Sequence, residues 1–159
     1  MITIGIDNGV SGSIGILSTE DTPRFCKTPT MKTLGYTKNG GMITRIDHNQ
    51  LTAMFRDSDP LKATAYVERP VTMKNIKTVM SGSRSYEATL VVLEKLGIGY
   101  ETIDSRHWQK SLLGGVKGSA ALKRASMSKG IQLYPQFRKA IEKQGDADGL
   151  LIAHYYRNK

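Results

Sequence analysis

Two short apolar runs that each end in an acid constrain this chain more than any other feature. Ile2–Ile6 alternates weakly, ends at Asp7 and meets an Asn8-Gly9 turn, which is the pattern of a β-strand followed by a tight turn. A second run, at 63–67, is apolar and β-leaning and ends at Glu68. Its length is typical of a buried central strand. The sequence therefore predicts two strands that each carry a carboxylate at the carboxyl end.

The pattern between and after these runs predicts an alternation of strands and helices. Strands at 13–17 and 24–27 follow the first strand closely enough to form an antiparallel meander with it. The polar stretch 32–41, with its Gly-Gly pair, predicts a loop, and the basic stretch 69–84 predicts an irregular segment. The remaining predicted elements are a helix at 47–55, a helix at 85–96, a strand at 98–103, and helices at 105–112, 119–129, 136–142 and 146–156.

This order predicts an α/β fold, with a five-stranded mixed sheet flanked by helices. Three strands form the antiparallel meander. Right-handed crossovers place the strands at 63–67 and 98–103 parallel to the first. The carboxyl ends of the first and fourth strands then share one edge of the sheet, where ligand sites tend to form. The chain shows no repeat and no linker, so we expect residues 1–159 to form a single domain.

Two further acids, Asp146 and Asp148, stand at the start of the last predicted helix. Taken singly, each acid of the chain also fits a turn, a strand end or a helix cap. Their joint placement favours a metal site, because converging carboxylates repel one another unless a cation neutralises them. Cys26 is the single cysteine, so a thiolate cluster is excluded. Oxygen ligands favour Mg²⁺ or Mn²⁺, and two such ions can promote phosphodiester hydrolysis.

The charge of the chain indicates a polyanionic partner. Twenty-three Lys and Arg against 14 Asp and Glu give a net charge of +9, and nucleic acid is the commonest partner of so basic a domain. His48, His107 and His154 favour surface or packing roles, whereas contact of His107 or Lys110 with a scissile phosphate stays open. The candidates for phosphate contact are Lys74, Lys77, Arg84, Lys117, Lys123 and Arg124.

With these residues in view, the chain resembles the RuvC-type Holliday junction resolvases of the ribonuclease H-like superfamily, particularly the compact forms of phages. The motifs that carry the resemblance are Ile4-Gly5-Ile6-Asp7-Asn8-Gly9, Tyr66-Val67-Glu68-Arg69, Val71-Thr72-Met73-Lys74-Asn75, Ser105-Arg106-His107-Trp108-Gln109-Lys110, Lys117-Gly118 and Asp146-Ala147-Asp148-Gly149-Leu150-Leu151-Ile152-Ala153. Together they span nearly the whole chain.

The resemblance implies a crossover junction endodeoxyribonuclease of DNA recombination and repair. It implies that Asp7, Glu68, Asp146 and Asp148 bind two Mg²⁺ or Mn²⁺ ions, and that a homodimer binds branched DNA and nicks two strands symmetrically. One departure concerns the last two acids. They are two residues apart and cannot share a face inside a helix, so Asp146 can contribute only before or at the helix start.

Two other departures concern positions beside the acids. Asn8 stands where the family has proline, and Pro70 and Val71 stand where some relatives present an aromatic wedge.

Three other functions compete with this interpretation. A nucleotide-binding ATPase of the actin and sugar-kinase type needs two such domains and a second phosphate loop, which this chain lacks. A non-catalytic nucleic-acid-binding relative would lose acids, whereas Asp7, Glu68 and Asp148 are retained. A nuclease of the same fold that acts on RNA stays open. No export or membrane segment is visible, so we expect a cytoplasmic protein of a bacterial or phage-infected cell that does not contact membrane.

Overall fold

The central strands form where the apolar runs of the sequence lie, and the helices between them cover both faces of the sheet. A computed structural model describes residues 1–36, 38, 40–70 and 75–159. The strands are β1 Ile2–Ile6, β2 Ser13–Ser18, β3 Arg24–Lys27, β4 Thr30–Leu34, β5 Met42–Ile46, β6 Ala63–Glu68 and β7 Gly99–Ile103. The helices are α1 His48–Phe55, α2 Ile76–Lys95, α3 Ser105–Leu113, α4 Ser119–Leu133, α5 Arg138–Gln144 and α6 Asp148–Arg157, with a 3₁₀ turn at Pro135–Phe137.

Five of the strands form one mixed sheet in the order β3-β2-β1-β6-β7. β1 is antiparallel to β2, and β2 is antiparallel to β3. β6 is parallel to both β1 and β7. The predicted fold class, a meander extended by two parallel strands, is confirmed.

The two faces of β1 and β2 carry different side chains. On one face Ile4, Ile6, Ile14 and Ile16 belong to a buried cluster that also includes residues of α1 and α2. The other face carries α6, whose apolar residues join those of α3 and α5 in a second cluster. The sheet therefore separates two cores.

Glycines allow α6 to lie directly on the backbone of the two strands. A Cβ atom on Gly5 would come within 2.2 Å of the carbonyl oxygen of Gly149, and one on Gly15 within 2.4 Å of the Cα of Leu150. A Cβ on Gly149 itself would lie 2.3 Å from the carbonyl oxygen of Ser13. Only glycine fits so close an approach. The contact places the first turn of α6 beside the carboxyl end of β1.

Two predictions about connecting segments are wrong. The stretch 32–41 was predicted as a loop, but its first three residues belong to β4, which pairs with β5 in a two-stranded antiparallel sheet. Its strand residues are mostly exposed, so they show no apolar alternation. The basic stretch 69–84, predicted as irregular, holds the first half of α2. The side chain of Asn75 caps this half by accepting a hydrogen bond from the backbone N–H of Lys77 at 3.0 Å. The first residues of the helix are exposed.

The last helix begins two residues later than predicted, at Asp148. Residues 71–74, which make up most of the Val71-Thr72-Met73-Lys74-Asn75 motif and include the candidate phosphate contact Lys74, lie outside the described residues. Within the described ranges, no helix combines the length and the apolar character that crossing a bilayer requires.

Candidate metal centre

Two acids of the candidate site stand at the ends of adjacent parallel strands. The pairing of Ile6 with Val67 in the β1–β6 register places Asp7 and Glu68 at matching positions. Neighbouring strands are about 4.8 Å apart, so the two residues emerge side by side at one sheet edge. The structure thus brings together two acids that lie far apart in sequence.

Asp146 and Asp148 reach the same edge from α6. One carboxylate oxygen from each of Asp7, Asp146 and Asp148 lies within 4.8 Å of the other two. Asp146 precedes the helix, and the residue at its N-cap position is Ala147, which makes no side-chain cap. Asp146 therefore lies before the start of the helix, as its two-residue spacing from Asp148 requires if both acids are to contribute to one site. Glu68 is outside this set of three but close enough for its charge to act on Asp7.

Two buried serines hold the α6 acids in place, and the sequence analysis did not identify either of them. The Ser13 hydroxyl donates to Asp146 at 3.2 Å and accepts from the backbone N–H of Gly149 at 3.1 Å. The Ser126 hydroxyl donates to Asp148 and accepts from the backbone N–H of Ala147 at 3.0 Å. Both hydroxyls therefore link a carboxylate to the first turn of α6. A small hydroxyl residue carries no distinctive sequence signal, which is why the pattern did not reveal them.

The carboxylates are held where a negative charge is unfavourable. Burial raises the pKa of Asp7 well above its usual range, and the charges of Glu68, Asp148 and Asp146 raise it further. Burial also raises the pKa of Glu68 to about 7, with a further contribution from the charge of Asp148. The pKa of Asp148 rises to about 6, chiefly through burial, although the Ser126 hydrogen bond lowers it.

These shifts test whether a cation fits the site. The site consists of oxygen donors, three of them within 4.8 Å of one another, and the charges of the other three acids destabilise the ionised form of Asp7. Lys123 lowers the pKa of both Asp7 and Asp148, but burial and the neighbouring acids outweigh it. A divalent cation would supply the missing positive charge, and hard oxygen ligands are those that Mg²⁺ and Mn²⁺ prefer. The residues present fit such an ion.

The predicted phosphate contacts lie in different surroundings. Lys77 lines a groove of about 410 Å³ together with Glu68 and Arg69, and the charge of Lys123 lowers the pKa of Asp7 and of Asp148. Arg84 instead lies over the Tyr36 ring, 5.2 Å from its centroid. It lines a separate cavity between β5, α1 and α2. Lys117 and Arg124 are exposed before and in the first turns of α4.

The histidines have the predicted surroundings. His48 and His107 are exposed, and His154 is half-buried with Nδ1 2.9 Å from the Tyr134 hydroxyl. Trp108 is fully buried in the core. Lys110 is exposed on α3.

Comparison with known proteins agrees with this architecture. The chain is similar in structure to RuvC of Thermus thermophilus, with a TM-score of 0.58 and 14% sequence identity over 99% of this chain and 96% of that one. It is also similar to T. thermophilus RuvC in complex with a Holliday junction substrate, with a TM-score of 0.62, 14% identity and the same 99% and 96% coverage. No protein-family profile matches the sequence, and no curated protein matches it.

These similarities establish the fold. The mixed sheet with its flanking helices is of the ribonuclease H-like class. Within that class, the chain has the RuvC-type fold, as the resemblance predicted.

Proposed function

We propose that this protein is a structure-selective DNA endonuclease that resolves Holliday junctions or other branched DNA by divalent-metal-dependent hydrolysis of phosphodiester bonds. The observation that carries the proposal is the convergence of Asp7, Asp146 and Asp148 within 4.8 Å, with Glu68 beside them, in a chain of net charge +9. The RuvC-type fold adds that a similar protein has been solved with a Holliday junction substrate.

In this proposal, different elements of the fold hold the four acids in position. Asp7 and Glu68 are fixed by the sheet, and Asp146 and Asp148 are fixed by α6 and the two serines. Two Mg²⁺ or Mn²⁺ ions held by these oxygens would supply activation of water and stabilisation of the leaving oxygen. Lys123 offsets part of the negative charge on the side of Asp7 and Asp148. The wider basic surface would hold the DNA backbone at the site.

Symmetric nicking requires two equivalent sites, so we propose a homodimer as the active unit. This part of the proposal rests on the resemblance rather than on an interface in the structure. Sedimentation of the free protein and of its junction complex tests it, and a monomer in both states contradicts it.

Cleavage assays on matched substrates test the proposed activity. Four-way, flap, duplex and RNA–DNA substrates are incubated with the protein in Mg²⁺ and in excess chelator. We expect nicking of the four-way junction in Mg²⁺ alone. Undiminished cutting in chelator contradicts the proposal, and preferred cutting of the RNA–DNA substrate favours the RNA-directed alternative.

Amide variants separate catalysis from binding. Asp7→Asn, Glu68→Gln, Asp146→Asn and Asp148→Asn each retain the shape of the side chain and remove its charge. We expect each to lower the nicking rate by more than about 100-fold, while junction affinity is retained. Near-normal nicking by Asp7→Asn or Glu68→Gln contradicts the metal site. An active Asp146→Asn variant would limit the ligands to the other three acids.

A non-catalytic nucleic-acid-binding relative is the remaining alternative. It predicts junction binding by the wild-type protein without nicking in either metal. The amide variants would then match the wild type in both assays.

A further inference from the structure

One ion cluster beside the candidate metal centre is not explained by the site described above. β6 and β7 end together, with Glu68 paired to Ile103, so Arg69 and Asp104 follow adjacent strand ends. Arg69 donates through Nη2 to the Asp104 carboxylate. Arg106 donates to the same carboxylate, from Nη2 at 2.6 Å and from Nε at 3.0 Å. A single acid thus holds two guanidinium groups side by side.

The cluster carries more positive charge than its structural role requires. Asp104 already caps α3 by accepting from the backbone N–H of Arg106 at 2.9 Å, and that bond needs neither guanidinium. Exposed ion pairs contribute little to stability. The Asp104 side chain is 13% exposed, whereas those of Arg69 and Arg106 are 55% and 82% exposed. With five N–H donors each, the arginines retain donors that Asp104 does not use.

The cluster lies where a DNA backbone near the acids would need positive charge. Carboxylates repel a phosphate, and Lys123 offsets this on the side of Asp7 and Asp148. Arg69 directly follows Glu68 in the chain and lines the same groove as Glu68, together with Lys77. The groove beside Glu68 therefore carries basic side chains of its own.

We propose that Arg69 and Arg106, held together by Asp104, bind a backbone phosphate of the DNA strand that runs past Glu68, next to the phosphate that is cut. The planar guanidinium fork matches phosphate oxygens in two parallel hydrogen bonds. Asp104 is then a positioning residue, because it orients both arginines without contacting DNA. This inference rests on the proposed function, and it names one DNA contact of the proposed site, the contact beside Glu68.

Charge-neutral variants of the arginines test the contact. Arg69→Gln, Arg106→Gln and the double variant are compared with Arg138→Gln, which removes an exposed arginine paired with Glu142 at 3.6 Å on α5. The probe is a synthetic four-way junction, bound in chelator at several salt concentrations. We expect the double variant to bind roughly 10- to 100-fold more weakly, with a salt slope that is smaller by about 1 to 2, and Arg138→Gln to match the wild type.

Asp104→Asn tests the positioning role, because asparagine caps a helix about as well as aspartate but holds the arginines less firmly. The variant gains positive charge, so electrostatic attraction alone predicts tighter junction binding. Positioning predicts the opposite, a loss of roughly 3- to 10-fold in affinity. Tighter binding by Asp104→Asn overturns the role assigned to Asp104.

The outcomes distinguish this inference from the proposed function. If the wild-type protein binds and nicks junctions but the double arginine variant binds as Arg138→Gln does, the phosphate contact is wrong and the nuclease proposal stands. If the wild-type protein binds no junction, the proposed function fails and the inference fails with it.

Discussion

Alternate residues of β1 and β2 face opposite sides of the sheet, and the two faces pack in opposite ways. One face carries four isoleucines that pack against α1 and α2 through their side chains. The other face offers Gly5, Gly15 and Ser13, and α6 lies against strand backbone there. On the face with the four isoleucines, here called the isoleucine face, other apolar side chains of similar volume would fill the same space. On the face with Gly5 and Gly15, here called the glycine face, the backbone contact fixes the distance of α6 from the sheet.

The difference explains how the acids converge. Branched apolar side chains in a core can shift slightly when a neighbouring residue is substituted. A helix in contact with backbone cannot, because any added atom displaces it. The glycine face therefore sets the position of Asp146 and Asp148 relative to Asp7, whereas the isoleucine face supplies stability.

The largest effect should follow from a methyl group on the glycine face. Gly5→Ala places Cβ 2.2 Å from the carbonyl oxygen of Gly149, so α6 must move away from the sheet. We expect a loss of about 3 kcal/mol or more in the free energy of unfolding, together with loss of nicking. Denaturant unfolding and the junction assay measure both.

Gly99→Ala is the matched control, because a Cβ on that strand glycine meets nothing within 4 Å. If Gly5→Ala is as stable and as active as Gly99→Ala, the close contact of α6 has no role in positioning the acids.

The buried acids make the metal-free protein sensitive to pH. The pKa of Glu68 is raised from 4.5 to about 7 and that of Asp148 from 3.8 to about 6. A carboxyl group whose pKa is higher in the folded state than in the unfolded state stabilises the fold at a pH below its unfolded-state pKa. This stabilisation is lost as the pH rises through the folded-state pKa. In chelator, we therefore expect the unfolding free energy to fall by up to a few kcal/mol between about pH 4 and pH 7, since one pKa unit is worth about 1.4 kcal/mol.

Thermal unfolding in chelator between pH 4 and pH 7 measures this effect, and the double variant Glu68→Gln, Asp148→Asn should flatten the profile. A wild-type protein that becomes more stable across the same range contradicts the electrostatic account of the site.

A smaller effect should follow from loss of the Ser126 hydroxyl. Ser126→Ala leaves the backbone N–H of Ala147 without its partner and removes the donor to Asp148. We expect a loss of about 1–3 kcal/mol in stability and of roughly 10-fold in Mn²⁺ affinity. Calorimetric titration with Mn²⁺ measures the affinity, with Ser128→Ala, at an exposed position of α4, as the control. Equal affinities in the two variants exclude a role for Ser126 in orienting Asp148.

The smallest effect should come from the isoleucine face. Ile4→Val removes one buried methyl group on the side away from α6 and should cost about 0.5–1.5 kcal/mol. We expect the nicking rate to stay at the wild-type level, because the positions of the acids do not depend on that contact. A nicking defect in a folded Ile4→Val protein would contradict the claim that the positions of the acids depend on the glycine face alone.

The sequence predicted the three central strands of the sheet, β1, β2 and β6, because they carry buried apolar residues. β1 and β3 have the predicted bounds, and Asp7 and Glu68 lie where the parallel crossover implied. β4, β5 and the first half of α2 were not predicted. Few of their side chains are fully buried, so no apolar period marks them.

The site was predicted in part for the same reason. Acids at strand ends can be read from the chain, and so can the acid pair before an apolar helix. The role of Ser13 and Ser126 depends on contacts between residues more than twenty positions apart, which no local pattern encodes. Gly5 and Gly15 did carry a signal, since glycine inside an apolar strand often marks a close backbone approach.

The central claim is that the buried acids form a cation site whose mutual repulsion destabilises the metal-free fold. Thermal unfolding of Asp7→Asn, in chelator and in Mg²⁺, tests it most directly, with Asp57→Asn at an exposed position as the control. The account predicts that Asp7→Asn raises the Tm in chelator, because the amide relieves desolvation and repulsion, and that it abolishes the Mg²⁺-induced rise in Tm seen with the wild type and the control. A lower Tm in chelator together with an unchanged response to Mg²⁺ would contradict it.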